Sequence, residues 1–178
     1  TAAERAARGG LQTLLIEERA LGGVCLNEGC IPTKTLLYSA KVWQTVQTAA
    51  KYGVTCTPER IDPAKVISRK NKVVRKLVAG IRSRMKEAGV TVVTEHATVT
   101  AHNSDETYTV TAAGETYAAK HLLLCTGSET VIPPIPGVEE GQYITHREAL
   151  DSKELPASIV IIGGGVIGME FAAYYNEM

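Results

Sequence analysis

Residues 158–162 (Ser-Ile-Val-Ile-Ile) run directly into Gly163-Gly164-Gly165-Val166-Ile167-Gly168, and no helix breaker follows before Asn176. No other stretch restricts the fold so tightly. A short β-branched apolar run reads as a strand buried on both faces. The glycines make a tight turn, and residues 166–176 have helical length and composition. Such strand–turn–helix units build parallel sheets covered by helices. In this setting a Gly-x-Gly-x-x-Gly pattern lets backbone approach a pyrophosphate at the helix N-terminus. Gly163, Gly165, Val166, Ile167 and Gly168 are therefore candidate dinucleotide contacts. The acid that would choose between NAD and NADP, roughly twenty residues further on, falls past Met178.

The chain before this unit has the same α/β character. Residues 1–8 are alanine-rich and helix-prone, and Gly9-Gly10 stop them. Residues 12–16 read as a buried parallel strand ending at Glu17. An acid there binds a ribose hydroxyl in nucleotide-binding βαβ units; otherwise it is an ordinary solvated strand-end glutamate. Residues 33–51 form a predicted helix with Leu36, Leu37, Ala40, Val42 and Trp43 toward the core. Asp62-Pro63 is a cap plus N1 proline, opening a helix to Gly89. Its apolar stripe is Val66, Ile67, Val73, Val74, Leu77, Val78, Ile81 and Met85, and its basic residues, Lys70 among them, form a solvated face. Residues 90–94, 97–100, 107–112 and 116–119 alternate as strands, with Ala113-Gly114 as a hairpin turn. Residues 121–125 read as a further buried strand, which makes Cys125 a small buried hydrophobe. The proline-rich stretch 132–137 is a stiff linker, and residues 146–150 form a short helix.

Chemistry concentrates in Gly22-Gly23-Val24-Cys25-Leu26-Asn27-Glu28-Gly29-Cys30-Ile31-Pro32-Thr33-Lys34. Two cysteines lie five apart where a helix begins. A thiolate at a helix start faces unpaired N–H groups and the positive end of the macrodipole, which lowers its pKa and favours exchange. Spacing leaves three readings: a redox-active disulfide, a structural disulfide, or two reduced thiols that never meet. Zinc would need about four ligands, and neither Cys56 nor Cys125 has a paired spacing; no metal is expected. Lys34, in the first helical turn, and Glu170, in an otherwise apolar helix, each need a partner for their charge.

The cysteine string closely resembles the active-site segment of the pyridine nucleotide–disulfide oxidoreductases. Within that family Leu26, Ile31 and Thr33 are most similar to the dihydrolipoyl dehydrogenases. The resemblance implies a doubly wound Rossmann-like FAD-binding domain (1–148) with a small β-meander insert. The first βα unit of an NAD-binding domain (149–178) follows, and both domains are incomplete. It implies that Cys25 and Cys30 form the redox disulfide, with Cys25 as interchange thiol and Cys30 on the flavin side. It pairs Lys34, near the flavin, with Glu170. It also assigns FAD contacts to Glu17, Gly22, Gly23, Val24, Ala97, Thr126, Gly127 and Ser128. Cys125 stands where the family usually has alanine.

The implied activity is oxidation of dihydrolipoamide to lipoamide, with electrons passing through the disulfide and FAD to NAD+. The substrate would sit on a lipoyl domain of a 2-oxoacid dehydrogenase or glycine-cleavage complex, and the complete enzyme would be a homodimer. Alternatives are a glutathione- or mercuric-reductase-like member and a non-catalytic nucleotide-binding fragment. Lacking the first FAD strand and its glycine turn, the isolated stretch is expected to be inactive. Nineteen Lys+Arg balance nineteen Asp+Glu, so neither nucleic acid nor an anionic membrane is an expected partner. Bacterial cytoplasm or an organelle matrix is the expected location.

Overall fold

The computed structural model describes residues 1–138, 141 and 143–178. The fold is mixed α/β, with one parallel and one antiparallel sheet. The described residues group into two compact units. One comprises Thr1–Gly23 and Leu77–Ser128; the other comprises Val24–Lys76 and Glu129–Met178.

In the first unit, helix α1 (Ala2–Arg8) precedes strand β1 (Leu14–Ile16). Strand β1 pairs in parallel with β2 (Thr91–Val93), Leu14 opposite Thr91 and Ile16 opposite Val93. Parallel neighbours need a long crossover, and here it includes helix α4 (Pro63–Glu87). The end of α4 is a Schellman cap: the Val90 N–H donates to the Met85 carbonyl at 2.9 Å, and the Gly89 N–H donates to that of Lys86 at 3.1 Å. Gly89 supplies the left-handed φ of 76° that this cap requires. The capped turn tucks Val90 and Met85 together with Leu21, and Ala3, Ala7, Leu15, Ile81 and Val92 pack around them. Glu4 ties α1 to α4 through Arg84 at 2.6 Å. Strands β3 (Ala97–His102), β4 (Tyr108–Ala112) and β5 (Glu115–Ala119) form the expected meander. Ala113 (φ 53°) and Gly114 (φ 76°) make its β4–β5 turn, with both φ positive as a primed hairpin turn demands.

The second unit is helical: α2 (Gly23–Asn27), α3 (Cys30–Gln47), a 3₁₀ turn (Ala49–Tyr52), the first half of α4, α5 (His146–Asp151) and α6 (Val166–Glu177). Asp62 caps α4 as expected, its Oδ1 accepting the Lys65 N–H at 3.1 Å. The core joins Leu36 and Ala40 of α3, Val66 and Ile67 of α4, Ala149 and Leu150 of α5, and Phe171 and Tyr174 of α6.

Several expectations fail here, for identifiable reasons. Residues 121–125 and 158–162 are not strands, and Leu123, Leu124, Val160 and Ile162 are exposed. A strand exists through its ladder, and among the described residues neither segment has a hydrogen-bonded neighbour. Cys125 is accordingly exposed rather than buried. Val42 and Leu77 also face outward, at 48% and 40% exposure, because the core admits only part of each helix's apolar arc. Lys70 leaves the solvated face: its side chain is only 5% exposed and its Nζ meets Asp151 Oδ1 at 2.6 Å.

Burial separates two apolar residues of α3 that look alike in sequence. Leu36→Ala should destabilise the protein by about 2–5 kcal/mol, whereas Val42→Ala should stay within about 0.5 kcal/mol of wild type. Urea unfolding of the two variants measures both.

Candidate redox site

Helix α2 runs almost directly into α3, with only Glu28 and Gly29 between them. Gly22 (φ 119°) and Gly23 (φ 73°) turn the chain into α2 through conformations that side chains resist. The joint then closes tightly. The Glu28 N–H donates to the Val24 carbonyl at 2.8 Å, and the Gly29 carbonyl accepts both the Thr33 N–H (3.1 Å) and the Thr33 hydroxyl (2.7 Å). A Cβ on Gly29 would lie 3.0 Å from the Cys25 Cα and 3.1 Å from the Val24 oxygen. The small residue between the cysteines thus permits the end of α2 to fold against the start of α3.

This joint brings Cys25 to Cys30. Both are free, exposed thiols, and a hydrogen bond links their side chains. The helix-start argument is half right for Cys25. Its sulfur does receive the Cys30 backbone N–H, and Lys34 lies close enough to favour the thiolate. Proton sharing with the Cys30 sulfur is the largest influence, and desolvation follows; together they push the Cys25 pKa up, not down. A thiol that donates a proton to its neighbour is stabilised in its neutral form.

One turn beyond Cys30, Lys34 Nζ meets Glu170 Oε1 at 2.6 Å. The two expected charges therefore do answer one another. Glu170 is 23% exposed and Lys34 55%. The bond to Glu170 is the main reason the Lys34 pKa is raised, with added pull from Cys30 and Cys25. Burial of α3 and α6 in one core sets this meeting, since Leu36, Ala40, Phe171 and Tyr174 hold the helices together.

The glycine turn lies in the same unit. A Cβ on Gly168 would collide with the Gly163 carbonyl oxygen, whereas the positions at Gly163, Gly164 and Gly165 open onto empty space. Gly165 is the N-cap of α6 and has no side-chain cap. Val166 and Ile167, exposed in the first helical turn, carry backbone N–H groups that the helix itself does not use. These features fit a dinucleotide pyrophosphate.

The remaining expected FAD contacts belong to the first unit. Glu17 follows β1, and its Oε1 accepts the Arg19 N–H at 3.0 Å. A carboxylate keeps capacity for further donors, which suits a ribose hydroxyl. Ala97 begins β3 opposite Ala112. Thr126, Gly127 and Ser128 are exposed, with Gly127 at φ 76°. Arg147 is almost unmarked in the sequence, yet its guanidinium holds both Glu28 and Glu129 at 2.6 Å. The only trace in the sequence was an acid placed between two cysteines.

Two neighbouring thiols on an α/β framework have the chemistry for thiol–disulfide exchange. The chain belongs to the pyridine nucleotide-disulphide oxidoreductase family, whose profile matches residues 1–178. It is 44% identical over 181 residues to a dihydrolipoyl dehydrogenase of Acholeplasma laidlawii, a match covering 99% of this chain and 52% of that protein. Against the dihydrolipoyl dehydrogenase of Bacillus subtilis the identity is 37%, covering 99% and 39%. The chain thus spans between about two fifths and half the length of these curated relatives. Among solved structures, LpdA from Mycobacterium tuberculosis superposes with a TM-score of 0.85 at 24% identity, covering 98% of this chain and 39% of that one; this likeness concerns the fold. The HOCl-induced flavoprotein disulfide reductase RclA from Escherichia coli gives 0.78 at 30% identity, covering 98% and 36%.

Two outcomes test this geometry. Cys30→Ala removes the acceptor that holds the Cys25 proton, so the pH at half-maximal Cys25 alkylation by iodoacetamide should move down. Gly168→Ala drives a methyl into the Gly163 carbonyl and should cost about 1–3 kcal/mol by overpacking, read from denaturant unfolding.

Proposed function

We propose that this chain supplies the FAD-binding and cysteine-bearing part of a dihydrolipoyl dehydrogenase, with residues 149–178 opening its NAD-binding domain. The observation that carries the proposal is the Cys25–Cys30 thiol contact, with the Lys34–Glu170 pair one helical turn away. The curated relatives at 44% and 37% identity support the same reading.

In its oxidised form the pair is a disulfide. A thiolate of dihydrolipoamide attacks the Cys25 sulfur, and Cys30 leaves as thiolate; the substrate's second thiolate then displaces Cys25 and closes the lipoamide ring. The substrate is oxidised by two electrons and the protein pair is reduced by two; of the two protons that leave the substrate thiols, one returns to Cys25, which the reduced pair holds as a thiol, and one is released. Lys34, kept cationic by Glu170, favours negative charge on the leaving sulfur. FAD and NAD+, when bound, supply the electron acceptance that returns the pair to disulfide. Glu17, Gly22, Gly23, Val24, Ala97, Thr126, Gly127 and Ser128 would hold the flavin nucleotide, and the Gly163–Gly168 turn the pyridine nucleotide. A lipoyl domain as substrate carrier and a homodimeric enzyme complete the reading.

Likeness to RclA at 30% identity favours a second reading, a pyridine nucleotide-driven disulfide reductase. Steady-state turnover separates the two: dihydrolipoamide with NAD+ for the first, a disulfide with reduced nucleotide for the second. For the cysteine roles, Cys30→Ser in the full-length enzyme should abolish the long-wavelength thiolate–flavin absorbance. An unchanged band would remove Cys30 from the flavin side.

A further inference from the structure

Glu28 lies in the two-residue joint between the cysteine-bearing helices, and Arg147 reaches it from 119 positions further along the chain. The Arg147 Nε donates to Glu28 Oε2 at 2.6 Å, and Nη1 donates to Glu129 Oε2 at 2.6 Å. Glu28 and Arg147 are 20% and 27% exposed, so this pair is more sheltered than an ordinary surface contact. Hydrogen bonds to Glu129 and then to Glu28 raise the guanidinium pKa even above its usual high value.

Arg147 also stands on a fixed base. Ala149 and Leu150 of α5 are buried in the core that holds Leu36 and Ala40 of α3. A capping box closes the first turn of α5: the Thr145 hydroxyl accepts the Arg147 N–H, and Glu148 accepts the Thr145 N–H. Asp151, at its last residue, holds Lys70 at 2.6 Å. The guanidinium fork fixes the direction of each carboxylate it binds, which a lysine ammonium does not.

We propose that Arg147 is a positioning residue for the cysteine pair. By tying Glu28 to α5 it holds the α2–α3 joint closed, keeps the Cys25 and Cys30 sulfurs in register, and so sets their thiol–disulfide equilibrium. This rests on the disulfide reading above. The stability of a disulfide against an external thiol reflects how well its two thiols are held for reaction. A loosened joint therefore disfavours the disulfide and raises its reduction potential.

The test equilibrates the full-length protein in glutathione redox buffers. One oxidised glutathione is reduced to two glutathione thiols as Cys25 and Cys30 together lose two electrons and two protons and form one S–S bond. Alkylation trapping and mass spectrometry then read the Cys25 and Cys30 peptides, with Cys56 and Cys125 as internal controls. Arg147→Gln should lower the equilibrium constant for this disulfide about tenfold, or ~30 mV for a two-electron couple. Glu28→Ala should do the same, the double variant should go no further, and Arg147→Lys should not restore the wild-type value. Should Arg147→Gln fail to fold, Glu28→Ala alone decides. A wild-type equilibrium in either folded single variant overturns the proposal, and so does full rescue by Arg147→Lys, which would make the role one of charge. A wild-type protein whose two cysteines never pair defeats the dithiol function itself, and the positioning role with it.

Discussion

The candidate site depends on how helix α3 is buried. Leu36 and Ala40 are pinned in a core shared with α4, α5 and α6, which fixes the helix's rotation about its axis. Cys30 and Lys34 are four residues apart and share one face of that helix. Once Leu36 is inside, the ammonium of Lys34 is placed for Glu170, and the first turn of α3 is placed for Cys25. Fixing α3 therefore fixes both the thiol contact and the ion pair beside it.

Electrostatics around the sulfurs is a balance between opposing local influences. The Cys30 N–H and the Lys34 ammonium favour a thiolate on Cys25, while sharing a proton with Cys30 and desolvation favour the thiol. The second pair wins in the reduced protein. Oxidation to a disulfide would remove the shared proton, so the dominant influence belongs to one redox state only. Lys34 remains cationic in either state because Glu170, rather than the sulfurs, is the chief cause of its raised pKa. Two glycines act by what they lack: Gly29 admits the close joint of α2 and α3, and Gly168 admits the Gly163 carbonyl.

Much of this was legible in the chain because it depends on near neighbours. The Asp62-Pro63 cap, the Ala113-Gly114 turn, the meander and the glycine turn before α6 each follow from residues within a few positions of one another. The Lys34–Glu170 pairing was legible for another reason. Each charge sat where an isolated charge is costly, and the family resemblance supplied the match. Arg147 had no such mark, since an arginine one residue into a short helix is unremarkable until its distant carboxylates are seen.

Sequence alone determined the local features: which residues turn the chain, cap a helix or place two thiols five positions apart, because those properties belong to side chains and short backbone runs. Tertiary structure decided which apolar segments were inside. Residues 121–125 and 158–162 have the composition of buried strands, yet a ladder needs a second strand, and composition cannot supply one. It also decided that Lys70 is buried against Asp151 and that Arg147 grips the cysteine joint. Such partners meet only when helices far apart in the chain pack together, and no pattern confined to one segment encodes that meeting.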